Sequence, residues 1–217
     1  MSHGERAHAT WSASATGRNW NCSGALALGA TVEHLDVESE AAAWGTACHQ
    51  VAEKCLNGDF DADTLIGTTE KTKQHEFEVD EEMAETAQVY VDYIRSRPRP
   101  NVQFVEQRFS LEALKPPFDA GGTCDAVIYN PDEKLLEVVD LKGGRGVVVE
   151  ATDNKQLRTY ALGALIANPG LKVERIKSTI VQPRAPHKDG RIRSETFHAS
   201  ELIDWTTDLL ERMHRAK

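Results

Sequence analysis

An α/β fold of the α+β kind is what this sequence predicts: a helical N-terminal region, a mostly antiparallel hairpin sheet, a crossover helix and a further strand pair. Three observations carry that expectation. Trp44, Cys48, Val51, Ala52 and Cys55 recur at spacings of three and four, the stripe of an amphipathic helix. Beyond Arg97-Pro98-Arg99-Pro100 the pattern changes to short β-rich runs divided by turn residues. One long helical stretch, about 152–167, then separates two groups of those runs and ends at Asn168-Pro169-Gly170.

Taken in order, residues 1 to about 17 are polar and rich in Ser, Ala and His, which suggests a mobile or DNA-facing arm. Arg18 to Leu28 suits a short helix and Glu38 to Leu56 a long one, followed by a loop-like stretch from Gly58 to Gln74. Asp80 to Arg97 is expected to be helical. The acids Glu76, Glu78, Asp80, Glu81, Glu82 and Glu85 then fall in its first turns, where negative charge suits the positive dipole end. Strands are expected over 102–111, 121–129, 134–142 and 146–149, then over 173–182 and 192–198. A last helix from Ala199-Ser200 carries Leu202, Trp205, Leu209 and Met213 on one face. There is no internal repeat or low-complexity tract, so residues 1–217 read as one domain.

Bulk properties narrow the function classes. A chain of 217 residues can bury a sizeable core. No apolar run approaches the roughly 18 residues of a membrane span, and the N-terminus lacks a signal-peptide core, so a cytoplasmic location with no membrane partner is expected. The net charge of −9 argues against adhesion to DNA over the whole surface; a DNA partner would need a local basic channel. Cys22, Cys48, Cys55 and Cys124 form no CxxC pair, which speaks against a zinc knuckle and for reduced, mostly buried thiols.

The chemistry concentrates in Gly122-Thr-Cys-Asp-Ala-Val-Ile-Tyr and, about fifteen residues on, Val139-Asp-Leu-Lys-Gly. The turn Asn130-Pro131-Asp132-Glu133 makes the two runs hairpin neighbours, so Asp125 and Asp140 meet across strands and can hold a hard divalent cation. Both acids interrupt apolar strands, and a buried charge needs a partner or a metal. Lys142 shares a face with Asp140, because side chains repeat every two residues. It stands where it can orient a water or steady negative charge, and metal plus lysine at a phosphate suggests phosphodiester hydrolysis. Glu106, in the preceding strand, is a candidate third carboxylate or else an exposed strand acid. His49 is an unremarkable helical residue or a ligand; in the second case imidazole moves metal preference towards manganese over magnesium. Gln156 and Tyr160, four apart on the crossover helix, either edge the core or flank the site.

The series His49, Glu106, Asp125, Asp140-x-Lys142 and Gln156-x-x-x-Tyr160 resembles the PD-(D/E)XK nuclease superfamily, in particular its RecB-like and phage-exonuclease branches, over roughly residues 40–165. The opening Trp11-Ser-Ala-Ser-Ala-Thr-Gly-Arg-Asn-Trp-Asn-Cys-Ser-Gly resembles the start of phage-encoded members. The resemblance implies a central mixed β-sheet flanked by helices, a restriction-endonuclease-like core. It implies that His49, Glu106, Asp125, Asp140 and the Leu141 carbonyl bind Mg2+ or Mn2+, that Lys142 positions the attacking water, and that Gln156 and Tyr160 support site and substrate. It further implies a DNA exonuclease acting at duplex ends and leaving 5′-phosphate and 3′-hydroxyl products, a homo-oligomeric ring of three or four subunits, and a single-strand annealing protein as partner in phage recombination within a bacterial host cell. An endonuclease or nickase with the same site, or a non-catalytic DNA-end-binding module, is the alternative. Leu141 stands where Tyr, Phe or Ile is more usual. The three late cysteines of iron–sulfur relatives are missing, so no cluster is expected.

Four further residues are candidates for DNA contact: Arg145 at the tip of the Gly143–Gly146 loop, Arg191 in the basic stretch 184–193, and Arg18 and Trp20 near the N-terminus. The loop glycines leave backbone open to close approach but lack P-loop spacing. The basic stretch is equally a solvated turn, and for Trp20 a small N-terminal core anchor is the favoured reading.

Overall fold

The computed structural model describes residues 9–32, 37–98 and 102–217, and the fold is mixed α/β. A central mixed sheet is built from β4 (Val102–Ser110), β5 (Ala120–Asn130), β6 (Leu135–Leu141), β7 (Arg175–Val181) and β8 (Ile192–His198) in that spatial order. The β4–β5, β5–β6 and β7–β8 pairs are antiparallel. Strands β6 and β7 are parallel, so their connection must cross the sheet, and α5 (Lys155–Ala167) makes that crossing. A short β1 (Trp11–Ser12) adds parallel to the start of β5, on the edge that β6 takes further along.

Helices cover both faces. On one side α3 (Glu40–Gly58) and α4 (Glu81–Arg95) pack with Ala126, Ile128, Val139 and Leu141. On the other, α5 and α6 (Ala199–Arg215) bury Val127, Tyr129, Leu136, Val138 and Ile176. The period-two alternation along β6 allots Leu136 and Val138 to one layer and Val139 and Leu141 to the other. Side-chain oxygens of Ser39, Asp80 and Asn154 cap α3, α4 and α5, and His198 with Glu201 forms a capping box on α6. No helix among the described residues is long and apolar enough to cross a membrane.

Four expectations are corrected. Residues 9–17 of the expected mobile arm are docked: Trp11 is fully buried, stacks on Phe118 and donates to Thr16 Oγ1 at 3.0 Å, and Thr16 in turn meets Thr159 of α5. Residues 1–8 lie outside the described residues. The helix expected over 18–28 is two, α1 (Thr16–Asn21) and α2 (Ala25–Val32), parted where Cys22 turns extended ahead of Gly24. Within the loop-like 58–74 stretch, β2 (Thr69–Lys71) pairs with β3 (Glu76–Glu78), so Glu76 and Glu78 lie on a strand rather than in the first turns of α4. The stretch 146–149 forms no strand. Side chains replace the ladder there: Gln182 bonds the Val149 N–H and the Val147 carbonyl, and Arg193 bonds the Val149 carbonyl.

Helix α5 lies close to β4 because position 163 has no side chain. A Cβ on Gly163 would stand 2.0–2.4 Å from the Phe109 ring, which itself packs edge-on to Tyr160. Gly163→Ala is expected to lower unfolding stability by about 1–3 kcal/mol through overpacking, read by denaturant titration; an unchanged midpoint would show that Phe109 moves aside freely.

Candidate metal centre

The site forms where the sheet is least regular. Ladder pairs Val105↔Ala126 and Gln107↔Cys124 leave Glu106 and Asp125 opposite one another without a bridge between them. Glu106 has φ 53°, the left-handed region that a non-glycine residue adopts at a cost of about 1–3 kcal/mol. Phe104 packs with the α5-side core, yet so does Phe109, five residues on. On β5 Val127 and Tyr129 face that core, yet so does Cys124. Both strands therefore change face at this one pair while their register stays intact. Next to it, Ala126↔Val139 sets Asp125 opposite Asp140. Glu106, Asp125 and Asp140 thus occupy one row across three adjacent strands.

His49 enters from α3, its Nδ1 3.3 Å from Asp125 Oδ2. One ligand atom each from His49, Glu106 and Asp125 lies within 4.8 Å of the other two, a nitrogen and two carboxylate oxygens suited to a divalent cation. Asp140 stands just outside that trio and faces Lys142, whose Nζ is 2.8 Å from Oδ2 and 3.1 Å from Oδ1. Gln156 ties the pair together: Lys142 donates to its Oε1 at 2.9 Å, and its Nε2 donates to Asp140 Oδ1 at 3.1 Å and to the Tyr160 hydroxyl at 2.7 Å. Leu141 contributes its backbone N–H, 2.8 Å from Asp125 Oδ2.

The electrostatics follow from burial. Asp125 is raised well above the ordinary carboxylate range, first by burial, then by repulsion from Asp140 and Glu106, with the Leu141 N–H pulling the other way. Burial opposes the charge on Lys142, but Asp140, by charge and hydrogen bond, outweighs it and holds the ammonium above its usual value. Tyr160 is pushed well up by burial and by the two aspartates, so its phenol stays protonated.

These side chains line a cleft of about 500 Å³ running from His49, Asp125, Asp140 and Lys142 along Gly121–Thr123 to the docked arm. It opens because β5 has β1 beside residues 120–121 and β6 beside 126–130, with no strand on that edge between them among the described residues. Sequence reading missed Arg108, Ser12, Ser14 and Thr123 in its walls. Arg108, two residues beyond Glu106, and the Ser-rich opening were the signals at hand.

The residues expected to contact DNA are dispersed. Arg145 is exposed and paired with Glu82, which also receives Arg184 Nε at 3.2 Å. Arg184 stacks on Trp44, 3.7 Å from the ring centroid, and donates to the Gly143 carbonyl. Gly143 itself is buried against Trp44 and Cys48, so at that glycine the close approach is made by α3. Arg191 meets Glu85 at 3.3 Å. Arg18 is exposed and bonded to Asn19. Trp20 stacks on Trp205, centroids 5.5 Å apart, with Lys155 and Arg212 near its ring; it is the anchor joining α1 to α6.

Residues 8–216 match a family model described as protein of unknown function (DUF2800). The chain belongs to the DUF2800 family. The matched span takes in every residue of the trio, the Asp140–Lys142–Gln156–Tyr160 network and the arm that walls the cleft.

One pH effect follows from Asp125. Its folded-state pKa lies above the unfolded value of about 4, so its proton stabilises the metal-free fold below that pH. The contribution is lost as pH rises through the folded-state pKa. Melts of the metal-free protein are expected to fall in temperature on raising pH above about 4, with Asp125→Asn flattening that slope. An equal slope in the variant would assign it to other groups.

Proposed function

We propose that this chain is a divalent-metal-dependent deoxyribonuclease of the PD-(D/E)XK type, hydrolysing phosphodiester bonds at duplex DNA ends. The observation that carries the reading is the juxtaposition of two half-sites. His49, Glu106 and Asp125 offer a compact N/O ligand set, and Asp140 one strand over holds the Lys142 ammonium at its edge. A Mg2+ or Mn2+ ion bound there would supply Lewis-acid polarisation of a phosphate and a more acidic water. Asp140 is held by both Lys142 and Gln156, which fixes its carboxylate for a share in ligation. Lys142 presents a fixed positive charge to the cleft, able to orient a nucleophilic water and to neutralise charge gathering on the phosphate. Gln156 keeps that ammonium aimed, and Tyr160 keeps Gln156 aimed.

Cleavage at ends rather than within a duplex is favoured by the docked arm. It runs parallel beside β5 at residues 120–121 and walls the end of the cleft away from β6. Arg108, in the cleft wall, and Arg145 and Arg191 outside it are the cations assigned to the phosphate backbone. Of the carboxylates that hold the last two, Glu82 is half-buried and Glu85 exposed; pairs near the surface are worth only about 0–1 kcal/mol, so phosphates can replace them. Ring assembly and an annealing partner belong to the same proposal.

The test is end-labelled linear duplex and closed circular plasmid, each with Mg2+ or Mn2+, comparing the parent with Asp140→Asn and Lys142→Gln. Shortening of the linear duplex alone is expected, with each variant slower by at least about 100-fold and folded by circular dichroism. Cleavage of the closed circle would replace the end-directed mode by endonuclease action. Equal digestion by parent and variants, or none by the parent, would end the nuclease reading.

A further inference from the structure

Tyr90 stands on α4 and carries a hydroxyl that the site as described does not use. Its neighbours on the inward face of that helix, Met83, Ala87, Val91 and Ile94, are apolar and fully buried. Tyr90 is 2 % exposed and packs in the same core as Cys48, Ala126 and Leu141, next in sequence to His49, Asp125 and Asp140. A phenylalanine would fill that core equally well. The hydroxyl is therefore the anomaly: it is buried and has no hydrogen-bond partner among the described residues, and such groups are rare in folded proteins. Tyr93, one turn on, shows the usual arrangement, its hydroxyl 2.5 Å from Glu137 at the far end of β6. Around Tyr90 the acting charges are those of the candidate centre. Its phenol is pushed well above its ordinary range by burial and then by Asp125, Cys124, Glu106 and Asp140, so it is a hydrogen-bond donor throughout the working range.

Asp125 Oδ2 lies beside His49 Nδ1 and the Leu141 N–H. Loading the trio changes that balance. A ligating imidazole is neutral and turns one ring nitrogen to the ion, so His49 can no longer face Asp125 as a cation. Both carboxylates must be ionised, and ligating carboxylates are themselves held by outer hydrogen bonds. A buried hydroxyl with no other partner among the described residues can supply such a bond. We propose that Tyr90 is a positioning residue of this centre, its hydroxyl donating to a carboxylate of the His49–Glu106–Asp125 trio when a divalent cation is bound. The proposal rests on the metal-centre reading above and adds α4 to the elements that build it.

Tyr90→Phe removes only the oxygen. Mn2+ alone is titrated into the full chain without DNA, free ion being followed by its paramagnetic resonance signal, and metal-free melting is recorded beside it. Tyr93→Phe is the control. The expected result is a Tyr90→Phe variant that binds Mn2+ at least about 10-fold more weakly while melting, metal-free, no lower than the parent, with Tyr93→Phe binding Mn2+ like the parent. Unchanged Mn2+ affinity in Tyr90→Phe would overturn the proposal and leave the metal centre standing. So would a loss matched by a lower metal-free melting temperature, or by an equal loss in Tyr93→Phe, since either marks a structural effect. A parent that binds no Mn2+ would remove the metal centre and this residue's role with it.

Discussion

Carboxylates on neighbouring strands repel one another, and at Asp125 and Asp140 there is almost no water to weaken that repulsion. Much of the surrounding structure can be understood as a response to it. Each compensating group comes from a different place in the chain: the Leu141 N–H from β6 itself, Lys142 from just beyond it, Gln156 from α5 and His49 from α3. Removing any one leaves a buried charge or polar group short of a partner, which costs more than the interaction is worth when intact. The two helical layers are thereby joined through the sheet by polar contacts as well as by their apolar cores. The relative placement of α3, β5, β6 and α5 is specified at this one level of the fold.

The backbone contributes to the same arrangement. With regular alternation through the 106/125 pair, Phe109 and Cys124 would have turned away from the α5-side core that Phe104 and Val127 share. The coordinated change of face keeps both halves of the long β4–β5 hairpin buried on the α5 side and reserves the pair at the break for acids. The left-handed Glu106 belongs to that break. Strain of this kind persists only where the neighbourhood over-determines it, and here eight paired positions of β4 and β5 hold the register on either side of the break. The gap along β5 between β1 and β6 is the complementary feature. It leaves the cleft open on the edge where Asp125 lies, while the arm closes its far end.

Much of this was legible in the chain because it is local. Asp140 and Lys142 are two apart in a strand, and the Asn130–Glu133 turn fixes the hairpin, so period-two geometry alone brings Asp125, Asp140 and Lys142 together. Gln156 and Tyr160 are likewise four apart on a helix, and they meet at 2.7 Å. What escaped reading depends on partners far away in sequence. A polar, Ser-rich start gives no sign that Trp11 will be buried against Phe118 and beside the start of β5, over a hundred residues on. Val147 to Val149 carry strand propensity, but the backbone groups there are taken by the side chains of Gln182 and Arg193, which no local pattern announces. The positive φ of Glu106 is invisible for a related reason: glycine would have signalled it, and a glutamate does not.

Charge sets the last constraint. With a net charge of −9 the molecule as a whole repels a polyanion, so an approaching phosphate must find its attraction within a few ångströms of the site, inside the screening length of about 8–10 Å. The helix α4 shows how this is compatible with an acidic surface. Its first turns bring Glu82 to Arg145 and Arg184, and Glu85 to Arg191, which holds three guanidinium groups against one another's repulsion at the side of the Lys142 strand end. Arg184 is the anchored one, stacked on Trp44 and bonded to the Gly143 carbonyl; Arg145 and Arg191 are exposed and held only by their carboxylates. A cationic edge can therefore be stored in neutral form on an acidic protein. On the nuclease reading it would be released to the substrate by exchanging one set of oxygens, those of α4, for another.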